Sequence, residues 1–206
     1  MKASTIEPPS IAYGWAGSAI EGDESGDLHV VAMLPRGALL AVIDGLGHGP
    51  EAALAAREAA TILREQAGLP VSELIERCHE GLRKTRGAVM SLVSLDMRSS
   101  TIDWCGVGNV ESVLFRRSAT ALPTREAMST RGGVVGYRLP QLRVSTLSVS
   151  AGDTLVLATD GIRNEFTAAV DLEEEPQAIA DALLQRYARG TDDALVLVVR
   201  CLETTP

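Results

Sequence analysis

The sequence has few aromatic residues for its size. Aromatic residues make up 3% of the 206 residues, although 46% of the residues are hydrophobic. Because so few rings are present, a buried core must be built mainly from valine, leucine, isoleucine and alanine. The high apolar fraction argues against a disordered chain, and the length predicts one domain over residues 1–206.

Features typical of several protein classes are also missing. The three cysteines, Cys78, Cys105 and Cys201, are far apart and lack C-x-x-C spacing, which indicates neither a zinc site nor a disulfide framework. No apolar run approaches the roughly 18 residues that a membrane span needs. The net charge of −8 argues against a general nucleic-acid binder, which needs a basic surface. We therefore expect a cytoplasmic monomer that binds neither nucleic acid nor membrane.

The apolar pattern predicts strands in consecutive runs, with two adjacent helices between the first runs. Such runs favour an α+β fold, in which two central, largely antiparallel β-sheets pack together and are flanked by helices as an α/β sandwich. A polar segment at 118–141 is interpreted mostly as loop. Helices are predicted at 50–67, 72–84 and near 174–188, and strands at 9–20, 28–34, 38–44, 88–96, 100–107, 111–117, 142–149, 154–159 and 194–201.

A glycine-rich turn follows the apolar segment that ends at Asp44. Residues 41–50 read AVIDGLGHGP, so a predicted strand ends in a carboxylate and a helix begins soon after. The strand would hold the carboxylate in place, and the glycines would let the backbone approach a ligand closely. An Asp-Gly pair after a strand is also a common turn signal, and for this segment alone both interpretations remain open.

The same design recurs at Asp160, and further carboxylates lie near strand boundaries. Residues 153–161 read DTLVLATDG, while Asp27 and the pair Asp192–Asp193 come just before predicted strands. Taken singly, these last carboxylates are more simply turn or cap residues. Together with Asp44, they supply the oxygen ligands that Mg²⁺ and Mn²⁺ prefer. A pair of such ions could activate a water and neutralise a phosphate.

Other catalytic motifs are absent from the sequence. It has no G-x-S-x-G elbow, and the glycine-rich turn lacks the Lys-Ser/Thr of a P-loop. His48 has no neighbouring nucleophile, so we interpret it as a residue that shapes the loop. His79 is interpreted as a surface residue of the second predicted helix.

The ordered set of motifs resembles the metal-dependent protein phosphatase family, also called protein phosphatase 2C. It is most similar to the small bacterial branch that regulates sigma-factor pathways, and the resemblance covers residues 10–202. It rests on five segments: DGLGHG at 44–49, GVGNVE at 106–111, GGVVGY at 132–137, ATDGI at 158–162 and GTDD at 190–193.

The resemblance implies that family's α/β sandwich, with two Mn²⁺ or Mg²⁺ ions at one edge. It implies that Asp27 binds one ion and that Asp44 bridges both, helped by the carbonyl of Gly45. Asp160 and Asp192 would complete the ligand set. These five residues are the predicted metal site, and the four aspartates are its predicted catalytic residues.

The resemblance also implies an activity and a partner. The implied reaction is hydrolysis of phosphoserine or phosphothreonine by water, without a phosphoenzyme, and the implied partner is a phosphorylated stressosome-type scaffold protein. Asp193 would be structural. Larger family members clamp the phosphate with an arginine before the first aspartate, but here no Lys or Arg lies between Lys2 and Arg36. Two alternatives therefore stay open: a pseudophosphatase that binds phosphoproteins, and a hydrolase of a small phosphate ester.

Overall fold

The computed structural model describes residues 11–20, 24–118 and 120–202, so the start of the strand predicted at 9–20 lies outside the described residues. None of the helices in these ranges is long and apolar enough to cross a membrane. In chain order the elements are β1 (Ile11–Ser18), β2 (Asp27–Leu34), β3 (Gly37–Gly45), α1 (Pro50–Glu65), α2 (Val71–Gly81), β4 (Ala88–Asp96), β5 (Thr101–Val107), β6 (Glu111–Phe115), β7 (Arg125–Met128), β8 (Ser145–Ser148), β9 (Thr154–Ala158), α3 (Pro176–Tyr187) and β10 (Ala194–Cys201).

Within the described residues the strands form two antiparallel sheets of five strands each, which confirms the predicted two-sheet arrangement. One sheet has the order β1-β10-β9-β6-β7 and the other has the order β2-β3-β4-β5-β8. Helices α1 and α2 pack on the outer face of the second sheet, and α3 packs on the first. The chain is therefore a four-layer sandwich in which the two sheets face each other between the helices.

The core between the sheets is aliphatic, as the shortage of aromatic residues predicts. Leu40 and Val93 of one sheet pack with Leu157 and Leu197 of the other. Alternate residues of β3 point the opposite way, where Leu39 packs beneath α1 and α2. Because β3 is buried on both faces, its sequence is a continuous apolar run rather than an alternating one.

Helix α1 lies against this sheet through small side chains. Pro50 occupies its first turn, where the missing N–H of proline costs no hydrogen bond. The buried face consists largely of alanines, which let the helix approach the strands closely. This helix begins five residues after the end of β3, so its packing also fixes the loop between them.

Two predicted elements differ in detail from the structure. The segment 118–141, interpreted mostly as loop, contains β7, which pairs with β6 in the register Ser112↔Met128. The four residues of β7 read REAM and include no β-branched residue, so the strand depends on its partner rather than on its own propensity. Helix α2 spans Val71–Gly81, whereas the sequence predicts this helix at 72–84.

The contact between β1 and α3 can be tested at Gly14. A Cβ atom there would lie 2.4 Å from the backbone of Gln177 in α3. We expect Gly14→Ala to lower the free energy of unfolding by about 1–3 kcal/mol, because α3 must shift away from the sheet. Urea denaturation measures this change. Gly68→Ala is the control, since a Cβ atom at Gly68 meets nothing within 4 Å, and equal stability of the two variants would contradict the close packing.

Candidate active site

Strands β2 and β3 place two carboxylates side by side. Asp27 is the first residue of β2 and pairs directly with Asp44, the residue before the end of β3. Side chains of such opposed residues are neighbours on the same face of a sheet. Asp27 is 5% exposed, and its Oδ2 accepts a hydrogen bond of 2.7 Å from the hydroxyl of Thr159. Asp44 is half-buried and reaches the surface beside it.

Gly45 closes β3 where α1 passes over the strand. A Cβ atom at this position would lie 2.1 Å from the carbonyl oxygen of Ala52, so no larger residue fits without moving the helix. The N–H group of Gly45 donates to the carbonyl of Gly26 at 3.0 Å. The turn before β2 and the end of β3 are thereby held together behind the two carboxylates.

Asp160 follows β9 and therefore comes from the opposite sheet. Its Oδ2 accepts a hydrogen bond of 2.6 Å from the side-chain amide of Asn109, in the turn between β5 and β6. Its backbone carbonyl accepts a bond of 2.7 Å from Nε of Arg189. Asp44 and Asp160 thus meet across the sandwich, at one end of both sheets, rather than along the edge of a single sheet.

The two adjacent aspartates before β10 have different surroundings. Asp193 is 5% exposed, and its carboxylate accepts backbone N–H bonds from Ile20 at 2.9 Å and from Gly26 at 2.7 Å. Asp192 is exposed, and its Oδ1 accepts only a local bond, of 2.9 Å, from the N–H of Asp193. Asp193 therefore anchors the backbone, while the Asp192 carboxylate stays accessible.

These elements enclose an open cleft of about 400 Å³. Asp44, Asp160 and Asp192 line it together, and Asp27 lies behind Asp44 rather than on the cleft surface. His48 is exposed at the cleft, where its loop shapes one wall. Among the described residues, the lining consists of Ile20, Asp44, Leu46, Gly47, His48, Val89, Asn109, Asp160, Thr191 and Asp192.

Three residues at this site were missed by the sequence analysis. Thr159 and Asn109 hold two of the carboxylates, and Arg189 fastens the turn that carries Asp160. Asn109 lies in the segment GVGNVE, which contributed to the family resemblance but had no role assigned. His79, interpreted as a surface residue, is partly exposed in α2, and its Nδ1 accepts a 2.9 Å bond from the N–H of Gly136.

The gathered carboxylates are electrostatically strained. Burial, followed by repulsion from Asp27 and the other aspartates, raises the pKa of Asp44 from 3.8 to about 8. Burial also raises the pKa of Asp27 to about 7, against the hydrogen bond from Thr159. The pKa of Asp160 is raised as well, first by burial and then by the charge of Asp192. A positive charge placed among these groups would relieve both the repulsion and the loss of hydration.

The donor set suits a hard divalent cation bound together with water. Within residues 11–20, 24–118 and 120–202, no group of three acidic, histidine or cysteine side chains is placed so that these side chains alone could hold a metal ion. Mg²⁺ keeps several of its waters and needs only one or two protein carboxylates. Carboxylates on an open cleft, with pKa values raised first by burial and then by mutual repulsion, therefore suit such an ion.

The raised pKa values predict how stability depends on pH when divalent cations are removed. Between about pH 4 and pH 8, native Asp27 and Asp44 keep protons that the unfolded chain releases, so the free energy of unfolding should fall as the pH rises. Thermal unfolding with chelator at both ends of this range measures the effect. Asp44→Asn should reduce the dependence, and the exposed Asp103→Asn should not; equal dependence in Asp44→Asn and wild type would contradict the assignment.

Known proteins share this sequence pattern and fold. The family model described as Stage II sporulation protein E (SpoIIE) matches residues 35–202. The phosphoserine phosphatase RsbX of Bacillus subtilis (strain 168) is 25% identical over 169 residues, which cover 78% of this chain and 79% of RsbX. A family model that spans most of the chain establishes membership rather than a local similarity.

Solved structures share the two-sheet architecture. One similar structure comes from work on the bacterial stressosome, described as a modular system that has been adapted to control secondary messenger signaling. Its chain has a TM-score of 0.84 and 29% sequence identity, and the match covers 93% of this chain and 100% of that one. The crystal structure of RsbX in complex with magnesium has a TM-score of 0.82 and 21% identity, covering 94% and 96%. The resemblance noted in the sequence is confirmed: the chain belongs to the SpoIIE family of PP2C-type serine/threonine phosphatases.

Proposed function

We propose that this protein is a divalent-cation-dependent phosphatase that removes phosphate from serine or threonine of a stressosome-type scaffold protein. The observation that carries the proposal is the convergence of Asp44, Asp160 and Asp192 on one cleft, with Asp27 paired beside Asp44. Similarity to RsbX, a phosphoserine phosphatase, and to a stressosome chain supports the substrate class. In this role the protein would reset a stress or sigma-factor pathway.

We assign the cation site to the residues predicted from the sequence. Asp44 would bridge two ions, either Mn²⁺ or Mg²⁺, while Asp27, Asp160, Asp192 and the carbonyl of Gly45 would hold them singly. When bound, such ions neutralise phosphate charge and make water a better nucleophile. The magnesium complex of RsbX supports Mg²⁺ as one of the ions.

The protein's own groups would orient the reacting parts. Thr159 holds the buried Asp27 carboxylate in one orientation, and Asn109 does the same for Asp160. Because Thr159 directly follows β9 and Asn109 lies in the short turn between β5 and β6, both are positioned before any substrate arrives. The exposed Asp160 and Asp192 leave the cleft open to a phosphorylated side chain that projects from another protein.

One alternative is a phosphoprotein-binding pseudophosphatase, and the lack of Lys or Arg between Lys2 and Arg36 favours it. We prefer the enzyme because the sequence has an aspartate at every position where the predicted metal site needs a carboxylate. Hydrolysis of a small phosphate ester is the third possibility, which a comparison of free phosphoserine with a phosphoprotein distinguishes. The three cysteines are buried and unpaired, which suits the cytoplasmic location that we propose.

The first test is phosphate release from a phosphorylated stressosome scaffold protein, with Mn²⁺ and with excess chelator. We expect turnover only with the metal, and we expect Asp44→Asn to lower it by more than about a hundredfold, because a bridging ligand is lost. Asp103→Asn, on the exposed surface of β5, is the matched control and should keep wild-type turnover. Metal-independent turnover, or full activity of Asp44→Asn, would refute the proposal, while no turnover by folded protein would favour the binding module.

A second test concerns the support of Asp160. Replacing Asn109 by alanine removes the 2.6 Å bond to its carboxylate, and we expect the affinity for Mn²⁺ to fall by about ten- to a hundredfold. Isothermal titration of metal into the protein measures this directly. Asn164→Ala, at an exposed position after β9, is the matched control. Unchanged affinity of Asn109→Ala would show that the bond does not orient a metal ligand.

A further inference from the structure

A phosphate entering this cleft meets carboxylates and no lining cation. Asp44, Asp160 and Asp192 line the cleft, and no lysine or arginine is among its lining residues within the described part of the chain. A phosphomonoester carries almost two negative charges near neutral pH. A cationic group near the rim of the cleft would add to the charge of any bound metal and would hold the phosphate in one orientation.

Strand pairing brings Arg86 to that rim. The register of β3 and β4 pairs Gly45 with Ala88, and the N–H of Leu46 donates to the carbonyl of Gly87 at 3.0 Å. One residue beyond the Leu46–Gly87 hydrogen bond in each segment, Arg86 lies opposite Gly47, which lines the cleft. The position of Arg86 thus follows from the same pairing that fixes Asp44.

Gly47 provides the surface on which the guanidinium lies. Nη1 of Arg86 is 2.8 Å from where a Cβ atom of residue 47 would be, so a larger residue would displace the arginine. Gly47 also has φ 86°, a backbone conformation that favours glycine. The glycine-rich loop therefore keeps space for the Arg86 side chain beside the acidic cleft.

The second terminal nitrogen of the guanidinium is bound by a carboxylate that a phosphate could replace. Nη2 of Arg86 forms an ion pair with Glu51 in the first turn of α1. The two side chains are 51% and 67% exposed, and such solvent-exposed pairs contribute little stability. Glu51 can orient the arginine without preventing it from turning to a doubly charged anion.

Arg189, the other arginine in contact with this site, is already engaged. Its Nε donates to the backbone carbonyl of Asp160 at 2.7 Å, and its N–H donates to the carbonyl of Gly161 at 2.8 Å. These bonds fasten the turn after β9. Arg86 makes no comparable backbone bond within the described residues, so its guanidinium is the better candidate for a ligand.

We propose that Arg86 binds the phosphate group of the substrate, donating from its guanidinium to the phosphate oxygens. It would supply, from the turn before β4, the positive charge that the stretch between Lys2 and Arg36 lacks. This inference rests on the proposed phosphatase function, since it names the group that orients the substrate in the same cleft. Arg86 leaves the cation ligands unchanged and acts on the phosphate alone.

The direct test is the binding of inorganic phosphate to the Mg²⁺-loaded protein, measured by isothermal titration for wild type and Arg86→Ala. We expect the dissociation constant to rise about tenfold or more, because a charge-assisted bond is lost. Arg86→Lys should recover part of the affinity, since lysine keeps the charge but not the planar fork. Affinity for Mg²⁺ should stay at the wild-type value in both variants, and KM for a phosphoprotein should rise more than kcat falls.

Two further variants separate phosphate binding from a structural role. If Arg86 only ties α1 to the turn before β4, Glu51→Gln should weaken phosphate binding as much as Arg86→Ala does. We expect Glu51→Gln to bind phosphate at least as tightly as wild type, because it releases the arginine. Arg83→Ala, which breaks a similar exposed ion pair with Glu80, is the matched control.

The outcomes for Arg86 and for the enzyme are distinguishable. Unchanged phosphate affinity in Arg86→Ala, or equal losses in Arg86→Ala and Glu51→Gln, would overturn the assignment while leaving metal-dependent turnover intact. If wild type lacks turnover, the proposed activity fails, but the phosphate titration still decides the role of Arg86.

Discussion

β3 lies between β2 and β4, and its pairing with both strands fixes Asp44 from two sides. Asp44 pairs with Asp27 of β2 on one side and with Val89 of β4 on the other. A shift of one residue would move every side chain of β3 to the opposite face of the sheet and would remove both neighbours from the site. The continuous burial of β3 under α1 and against the opposite sheet makes such a shift costly. The position of the carboxylates is thus secured by the core.

This rigidity has an electrostatic cost. Carboxylates on flexible loops could separate, but Asp27 is held by a hydrogen bond from Thr159, and Asp44 is held by its strand. The pKa of Asp44 is raised to about 8, first by its burial and then by repulsion from Asp27, which cannot move away. Repulsion that cannot relax by movement can be relieved by protonation or by a cation. The fold therefore favours the binding of a positive ion at this end of the sandwich.

The sequence was sufficient to predict the parts of the fold that local pattern determines. The apolar run of β3, the alanine-rich α1 and the two Asp-Gly strand ends all follow from spacing and turn chemistry. The strand order does not, so a sequence could suggest that Asp44 and Asp160 converge without showing that they come from opposite sheets. β7 was missed for a related reason, because its pairing with β6 outweighs its weak propensity.

The supporting residues of the site were beyond prediction because each depends on a contact distant in sequence. Asn109 reaches a carboxylate 51 residues away, and Thr159 reaches one 132 residues away. Neither residue type distinguishes a support from an ordinary turn or strand residue. Arg86 acquires its place only when β4 aligns with the glycine-rich loop. Sequence pattern identifies the acidic groups, whereas the groups that orient them appear only in three dimensions.

The charge distribution around the cleft also bears on how a substrate is selected. Three carboxylates line it, and the nearby Arg86 is shared with Glu51, so a small phosphate ester would gain little binding free energy from the cleft alone. A phosphorylated protein can add contacts outside the cleft, and binding free energy from such remote parts can be used to align the reacting group. An open, acidic cleft with the exposed Arg86 at its rim is therefore better suited to a phosphate presented by a docked protein than to a free metabolite.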